Sequence, residues 1–458
     1  MLNFYENTLI KNSKLPDSWK SQTAQNELLE FLQSNWEQRG IFYDDGAVVS
    51  KQQFLDFTGQ QAIKTKDYVG TIVFKGEQLN IFPKIFRESK EDNDTDELTL
   101  PFLMHNLVKW IEYSSKVDYP YISISTDIEN TNDLQELFVS LYVRYVKSAL
   151  DRGLFYRYEE QNEDEKTIKG RFDIKDYFTK KYPNGILDKF KCSYTTFEFD
   201  NLLNRIIKCT LKHVFNIANR SNQKMIRALL NKLGEVSDVH CTPSDCDRIT
   251  LSKMHGNYRV ILSMSKMFLW NKTSTYTMDS QESFCFLFPT DVLFEGFIGG
   301  FIQSILMGQA KISLQADEVS LIDNMSYGSK EFGPAFALRH DILVEHKEKG
   351  LFILDTKYKM LSPFSEYISK NDISRDVSQP DLYQMYAYAS KRGLDKVYLL
   401  YPQFRLEEPN DTPLIMTHRL KEEGKTVRIY ALRIPFVFND DDSKTIENLR
   451  KVLLSVFE

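Results

Sequence analysis

Residues 351–354 (LFIL) run directly into Asp355, and Lys357 follows two positions later. A short apolar run bounded by Gly350 reads as a buried strand. The two-residue repeat of a strand then turns Asp355 and Lys357 to one face. A carboxylate in such a place is costly unless a cation meets it. A second strand, FALRHDILVEH (336–346), carries Asp341 among apolar neighbours, and 13 residues separate it from Asp355. A hairpin closing through HKEKG would set the two acids side by side, giving hard oxygen donors of the kind that Mg²⁺ binds together with water and a substrate phosphate. Lys357 beside them would orient or help deprotonate an attacking water and balance charge as a phosphorane-like transition state forms. The chemistry this implies is phosphodiester hydrolysis.

The surroundings make the triplet more than an edge-strand ion pair, which is what D-x-K alone most often means. From about Phe284 the pattern reads helix (DVLFEGFIGGFIQSILM), strand (KISLQADEVSLI), the two strands above, helix (QPDLYQMYAYASKR) and strand (KVYLLYP). The second helix is long enough to be a crossover that makes the strands on either side of it parallel neighbours. On one face it carries Gln384 and Tyr388, which either meet substrate or form a buried hydrogen-bonding pair beside Leu382 and Met385. Glu295, in the first helix, is a further acidic candidate near the cation, or else a helix-surface carboxylate.

At 458 residues the chain exceeds one hydrophobic core. With 42% hydrophobic and 27% charged residues it has enough apolar surface to fold and too much for disorder. The predicted layout is α+β and multidomain: a β-rich N-terminal domain over 1–98, a mainly helical middle region over 99–280 and an α/β core over 281–458. The first holds strands in IFYDDGAVVS, YVGTIVFKG and EQLNIFPKIF and ends in an acidic linker, SKEDNDTDE (89–97). The middle holds LPFLMHNLVKWIEY and LQELFVSLYVRYVKSAL, the latter opened by Asn132 and Asp133 with Gln135 and Glu136 in capping positions. A second acidic break, EEQNEDE (159–165), precedes IKGRFDIKDYF, which alternates briefly like a strand.

Net charge of −6 confines any nucleic-acid contact to a local patch. The candidate is 201–233, with seven Lys/Arg and no Asp or Glu, although a solvated helix face or a contact for the acidic stretches explains it better. Five scattered cysteines suit reduced thiols in a cytoplasm. HCTPSDC (240–246) falls short of the paired spacing of structural zinc sites. The polar-interrupted N-terminus addresses no membrane. No G-x-x-x-x-G-K-[ST] loop is present, so this chain itself is expected to bind no nucleotide.

YVGTIVFKGEQLNIFPKIF (68–86), IKGRFDI (168–174), FEFDNLLNRIIKCTL (197–211), LFEGFI (293–298) and the stretch through DLYQMYAYA (381–389) occur in an order that resembles the McrC family, the nuclease subunit of McrBC-type restriction systems, with the LlaJI-type subunits close by. The resemblance implies a PD-(D/E)xK, restriction-endonuclease-like core in the C-terminal region. It implies catalytic Asp341, Asp355 and Lys357, with Glu295 and Gln384 beside them, and Mg²⁺ or Mn²⁺ held by Asp341, Asp355 and Thr356. It also implies an McrB-like AAA+ GTPase or ATPase ring that selects double-stranded DNA, docking of the N-terminal and middle regions on that ring, and Lys169, Gly170, Arg171, Asn204 and Arg205 facing it. An arginine presented to the ring would neutralise transition-state charge during nucleotide hydrolysis. One departure is His340, where the family has a proline before the first aspartate. The rival readings are a non-catalytic adaptor that activates the ring and a stand-alone RecB-like nuclease.

Overall fold

The computed structural model describes residues 2–37, 50–57, 62–87, 98–114, 134–153, 155–251, 255–275, 283–361, 369–405, 414–419, 426–439 and 441–458. They form two compact units, residues 1–134 with 281–458, and residues 135–280. This division differs from the three consecutive segments read from the sequence, because the N-terminal strands and the C-terminal region share one unit. Most of IFYDDGAVVS, the acidic stretch 89–97, and Asn132 with Asp133 lie outside the described residues.

The N-terminal strands are β1 (Leu2–Tyr5), β2 (Leu9–Lys11), β3 (Leu55–Phe57), β4 (Ala62–Thr65), β5 (Tyr68–Phe74) and β6 (Glu77–Phe82). β5 and β6 join through Lys75 and Gly76, both with positive φ, as a two-residue hairpin turn requires. β1 lies parallel to β6, and residues Phe284–Pro289 from far along the sequence pair with β5. Gly70 makes that long-range pairing possible, since a Cβ there would fall 2.0 Å from the Phe286 carbonyl oxygen. Helix α1 (Gln22–Glu37) buries Leu28, Phe31, Leu32 and Trp36, with Phe31 stacked on Phe74.

Helix α2 (Leu100–Tyr113), capped by the Thr99 hydroxyl, is assigned to the middle region by its sequence position but packs in the first unit. Trp110 stacks on Phe436 with centroids 4.3 Å apart, and its indole N–H donates to the Phe436 carbonyl at 2.7 Å. Asn106 exchanges two hydrogen bonds with the Phe438 backbone. These contacts span more than 300 residues of sequence, so no local pattern could announce them.

The second unit contains α3 (Leu134–Arg152), β7 (Arg157–Glu165), β8 (Arg171–Phe172), β9 (Phe190–Glu198), α4 (Leu202–Ile217), α5 (Arg220–Lys232) and α6 (Gly256–Thr275). The helices match the 3.6-residue periodicity, but a three-stranded antiparallel sheet, ordered β7-β9-β8, joins them. EEQNEDE is therefore strand and not a break. An edge strand can carry so many acids because Glu163 and Asp164 stay in water, while Lys181 and Lys169 pair with Asp164 and Glu165. Glu136 reaches across to accept hydrogen bonds from Asn219 N and the Asn222 amide at the start of α5.

The remaining elements belong to the first unit: β10 (Phe284–Pro289), α7 (Thr290–Ile305), β11 (Ala310–Tyr327), β12 (Lys330–His346), β13 (Gly350–Thr356), α8 (Gln379–Arg392), β14 (Lys396–Pro402), β15 (Leu414–Arg419), β16 (Thr426–Ile434) and α9 (Asp442–Ser455). A six-stranded mixed sheet runs β11-β12-β13-β14-β16-β15. β12 and β13 form the antiparallel hairpin through Lys347–Lys349, and α8 is the crossover that leaves β13 and β14 parallel. Met385, Tyr388 and Ala389 of α8 pack on Leu343, Ile353, Val397, Leu399 and Ile429. Phe352, of opposite parity to Ile353, meets Phe457 just beyond α9. No helix among the described residues is long and apolar enough to cross a membrane.

Candidate active site

Strand register brings the candidate residues together. Ile342 pairs with Leu354, and one step further along the hairpin Asp341 falls beside Asp355. On the other side, Leu314 and Ala316 pair with Ile342 and His340, so Gln315 falls opposite Asp341. Asp355 itself pairs with Leu399. Gln315, Asp341, Asp355 and Leu399 thus form one row across four strands.

Within this row Asp341 Oδ2 accepts from the Thr356 backbone N–H and from its hydroxyl, each at 2.8 Å. Asp355 is fully buried, and its Oδ2 lies 2.5 Å from Lys357 Nζ. That contact is a close ion pair without hydrogen-bond alignment, and neither Asp355 oxygen has an aligned donor among the described residues. Lys357 also donates to Gln384 Oε1 at 3.2 Å, and the Gln384 amide donates to Tyr388 Oη at 2.6 Å. Tyr388 in turn donates to the Arg339 carbonyl. Gln384, half-buried, and Tyr388, buried, are thus hydrogen-bonded to each other, and Gln384 holds the lysine. Glu295 accepts from Gln315, and its charge acts on both aspartates.

Burial, then the charges of Asp355 and Glu295, push Asp341 above the usual carboxylate range. Burial also pushes Asp355 up, against the pull of Lys357. For Lys357, burial acts downward, but Asp355, Asp341 and Asp381 outweigh it and the net shift is upward. Two acids, Asp355 buried and Asp341 half-buried, facing one ammonium leave an excess of negative charge, which a bound cation would neutralise. Among the described residues no group of three or more His, Cys, Asp or Glu side chains forms a ready metal cage. The donor set, two hard carboxylates with both Asp355 oxygens lacking aligned donors, suits a cation that keeps much of its shell as water and phosphate, as Mg²⁺ or Mn²⁺ does. The Thr356 hydroxyl is engaged by Asp341.

One participant escaped the sequence reading. Gln315 looks like any polar strand residue until β11 is laid beside β12. His340 continues β12, fully buried and stacked on Tyr388 with centroids 4.4 Å apart, so it packs the strand against α8. Its only sequence signal is the missing proline.

The residues expected to face a partner divide. Lys169 pairs with Glu165 at 3.0 Å, and Arg171 is exposed. Gly170 has φ +63, and a Cβ there would meet the Ser193 carbonyl oxygen at 2.5 Å. Asn204, however, is fully buried, its amide donating to the Phe155 and Phe199 carbonyls at 2.8 Å each, so it braces the entry to α4. Arg205 forks onto Asp200 at 2.8 and 3.1 Å. In the basic segment Lys208 and Lys212 pair with Asp238 and Lys232 with Asp151, acids outside both acidic stretches, so these lysines belong to an ion-paired surface.

Arg205, then Ser237, hold Asp200 well below the usual carboxylate range. A lowered folded-state value contributes stability that is present above the unfolded value, near 3.8, and lost as pH falls further. Asp200→Asn should therefore lower the denaturant midpoint of the second unit's transition at pH 7 and cost progressively less below pH ~4. A cost independent of pH would mean that shape and not charge does the holding.

A two-unit α+β protein with two acids and a lysine converging on a mixed sheet is the class that fold and site define. Residues 63–402 match the family described as McrBC 5-methylcytosine restriction system component, and the chain belongs to that family. Among solved structures, a chain in the refined half-complex from a tetradecameric assembly of Thermococcus gammatolerans McrB AAA+ hexamers with bound McrC is similar at 18% identity, with a TM-score of 0.63 and 99% of each chain covered. A chain of the cryo-EM Thermococcus gammatolerans McrBC complex matches at 17% identity over 66% of this chain and 86% of that one, with a TM-score of 0.45. No curated protein matches this chain.

Proposed function

We propose that this chain is the McrC-like nuclease subunit of an McrBC-type restriction system, a Mg²⁺-dependent endonuclease of the PD-(D/E)xK kind that cuts double-stranded DNA in the cytoplasm. The observation that carries the reading is the adjacency of Asp341 and Asp355 with Lys357 in contact with the second. Asp341 and Asp355 would hold the cation. A divalent ion bound there would polarise the scissile phosphodiester and make a water more acidic. Lys357, fixed by Asp355 and Gln384, presents N–H donors to the attacking water and to the phosphoryl oxygens as charge grows on them. Glu295, held by Gln315, adds to the negative field that draws the cation in. The partner is inferred to be an McrB-like AAA+ ring, since the solved neighbour is an assembly of McrB hexamers with McrC. Lys169, Arg171 and Arg205 are the candidates for its contact.

The test is plasmid cleavage by this chain mixed with an AAA+ ring protein of its own restriction system, with nucleotide and either Mg²⁺ or EDTA. Cutting that needs both ring and Mg²⁺ is expected. Nicking or end degradation by the isolated chain would favour a stand-alone nuclease, and stimulated nucleotide hydrolysis without any cutting would leave an adaptor. In the same assay Gln384→Ala should cut ~10-fold more slowly, because one hydrogen bond to the positioned ammonium, worth ~1.5 kcal/mol, is lost. An unchanged rate would leave Asp355 as sufficient to place Lys357.

A further inference from the structure

HCTPSDC takes no part in the chemistry above, yet the second unit sets its first cysteine against another. Cys209 lies in the middle of α4, and the Cys241 backbone N–H points at its Sγ, 3.4 Å away. The Cys241 thiol itself donates to the Val239 carbonyl at 3.8 Å. The segment carrying Cys241 is held in place, because Thr242 donates to the Asp245 carboxylate through both its backbone N–H and its hydroxyl at 2.8 Å. Cys241 and Cys246 pack with Ile206 and Leu269, with Cys209 at the edge of the cluster. Exposure separates the pair: Cys241 is 4% exposed, whereas Cys209 is half-buried and lines an open cavity of about 430 Å³. Lys208 and Lys212, neighbours of Cys209 on α4, line the same cavity, and both pair with Asp238.

We propose that Cys209 and Cys241 are a two-thiol oxidation site that closes to an intramolecular disulfide when a small hydroperoxide enters this cavity. Cys209 is the sulfur that meets the oxidant, being the half-buried one on the cavity wall. Its thiolate attacks one peroxide oxygen, the O–O bond breaks, and the hydroxide that leaves takes up the proton released by the Cys209 thiol. Cys209 is then a sulfenic acid, and the peroxide has been reduced by two electrons. Cys241 attacks that sulfur, the S–O bond breaks, and water departs with the Cys241 proton. Two thiols and one hydrogen peroxide become one disulfide and two waters. The bond ties α4 to the segment ahead of the short helix Pro243–Asp247 and closes a loop over residues 210–240, which stiffens the unit. A dithiol reverses it by exchange.

The full chain is treated with hydrogen peroxide, its remaining thiols are blocked with iodoacetamide, and it is digested and mass-analysed without reductant. The expected product is a cross-linked peptide joining Cys209 to Cys241 that dithiothreitol releases, with a melting temperature of the oxidised chain several degrees above that of the reduced one. Cys246→Ser keeps the cross-link, while Cys209→Ser and Cys241→Ser each lose it. The proposal is overturned if Cys209 proceeds to sulfinic acid while Cys241 stays open to alkylation, if Cys241 joins Cys246 instead, or if the purified chain carries stoichiometric zinc on these thiols. The cross-link is read on the wild-type chain, so a variant that fails to fold does not remove the test.

Discussion

Asp355→Asn is expected to abolish Mg²⁺-dependent cleavage by the reconstituted complex, with a drop of ~10³-fold or more, while the chain still folds and still stimulates its ring. The substitution keeps the shape of a side chain that is fully buried and changes only its charge. An amide is a far poorer ligand for a hard divalent ion than a carboxylate, and losing several kcal/mol of transition-state charge stabilisation corresponds to about three powers of ten. Lys357 loses its 2.5 Å partner at the same time and keeps only Gln384 as a fixed acceptor, so the donor it presents to the phosphate is less well placed. Stability should move by ~1–3 kcal/mol, because the neutral isostere relieves a carboxylate whose charge burial disfavours but leaves the Lys357 ammonium without its partner. Retained nucleotide hydrolysis with lost cutting separates the chemical role from the architectural one. Wild-type cleavage by Asp355→Asn would remove the hydrolytic assignment and leave family membership alone.

How much of this was visible beforehand depended on the range of the interaction. β12, β13, α8 and β14 could be read from their residues because each carries its own periodicity, and Asp341 and Asp355 could be set side by side because a short hairpin through HKEKG joins their strands. Glu295 and Gln384 could be named, but their partners could not: Gln315 is brought to Glu295 by the pairing of β11 with β12, and Gln384 is oriented by Tyr388 reaching Arg339. The errors follow the same rule. EEQNEDE looked like a break because acidic residues weigh against a strand, and only its pairing with β9 makes it one. α2 looked like the start of a middle region because chain order was the only guide, whereas Phe436 and Phe438 decide where it packs. Asn204 was assigned to a partner-facing region by resemblance alone, and nothing local announces that its amide closes the entry to α4.

The N-terminal strands are expected to matter to the active site through one buried carboxylate. Glu6, at the end of β1, is fully buried and accepts from the Lys84 backbone N–H at 2.8 Å, the Thr290 hydroxyl at 2.8 Å and the Tyr358 hydroxyl at 3.0 Å. Lys84 Nζ lies 4.5 Å over the Tyr358 ring, and Thr290 begins α7, the helix that carries Glu295. Tyr358 directly follows Lys357, so this network anchors the chain just beyond the strand that carries Asp355. Burial, offset in part by Lys84, pushes Glu6 above the usual range, as expected of a carboxyl kept only because its donors are in place. Glu6→Ala strands three donors at once and should cost ~3–5 kcal/mol of stability in the first unit. Tyr358→Phe removes one donor and leaves Glu6 the other two, so its cost should be ~1 kcal/mol. If the network positions Lys357, Tyr358→Phe will also slow cleavage severalfold under conditions where the protein remains fully folded, and Glu6→Gln will fall between the two in stability. Denaturant melts with parallel cleavage assays give the order; a Glu6→Ala chain as stable as wild type would show that the N-terminal strands and the catalytic strand are held together by their apolar contacts alone.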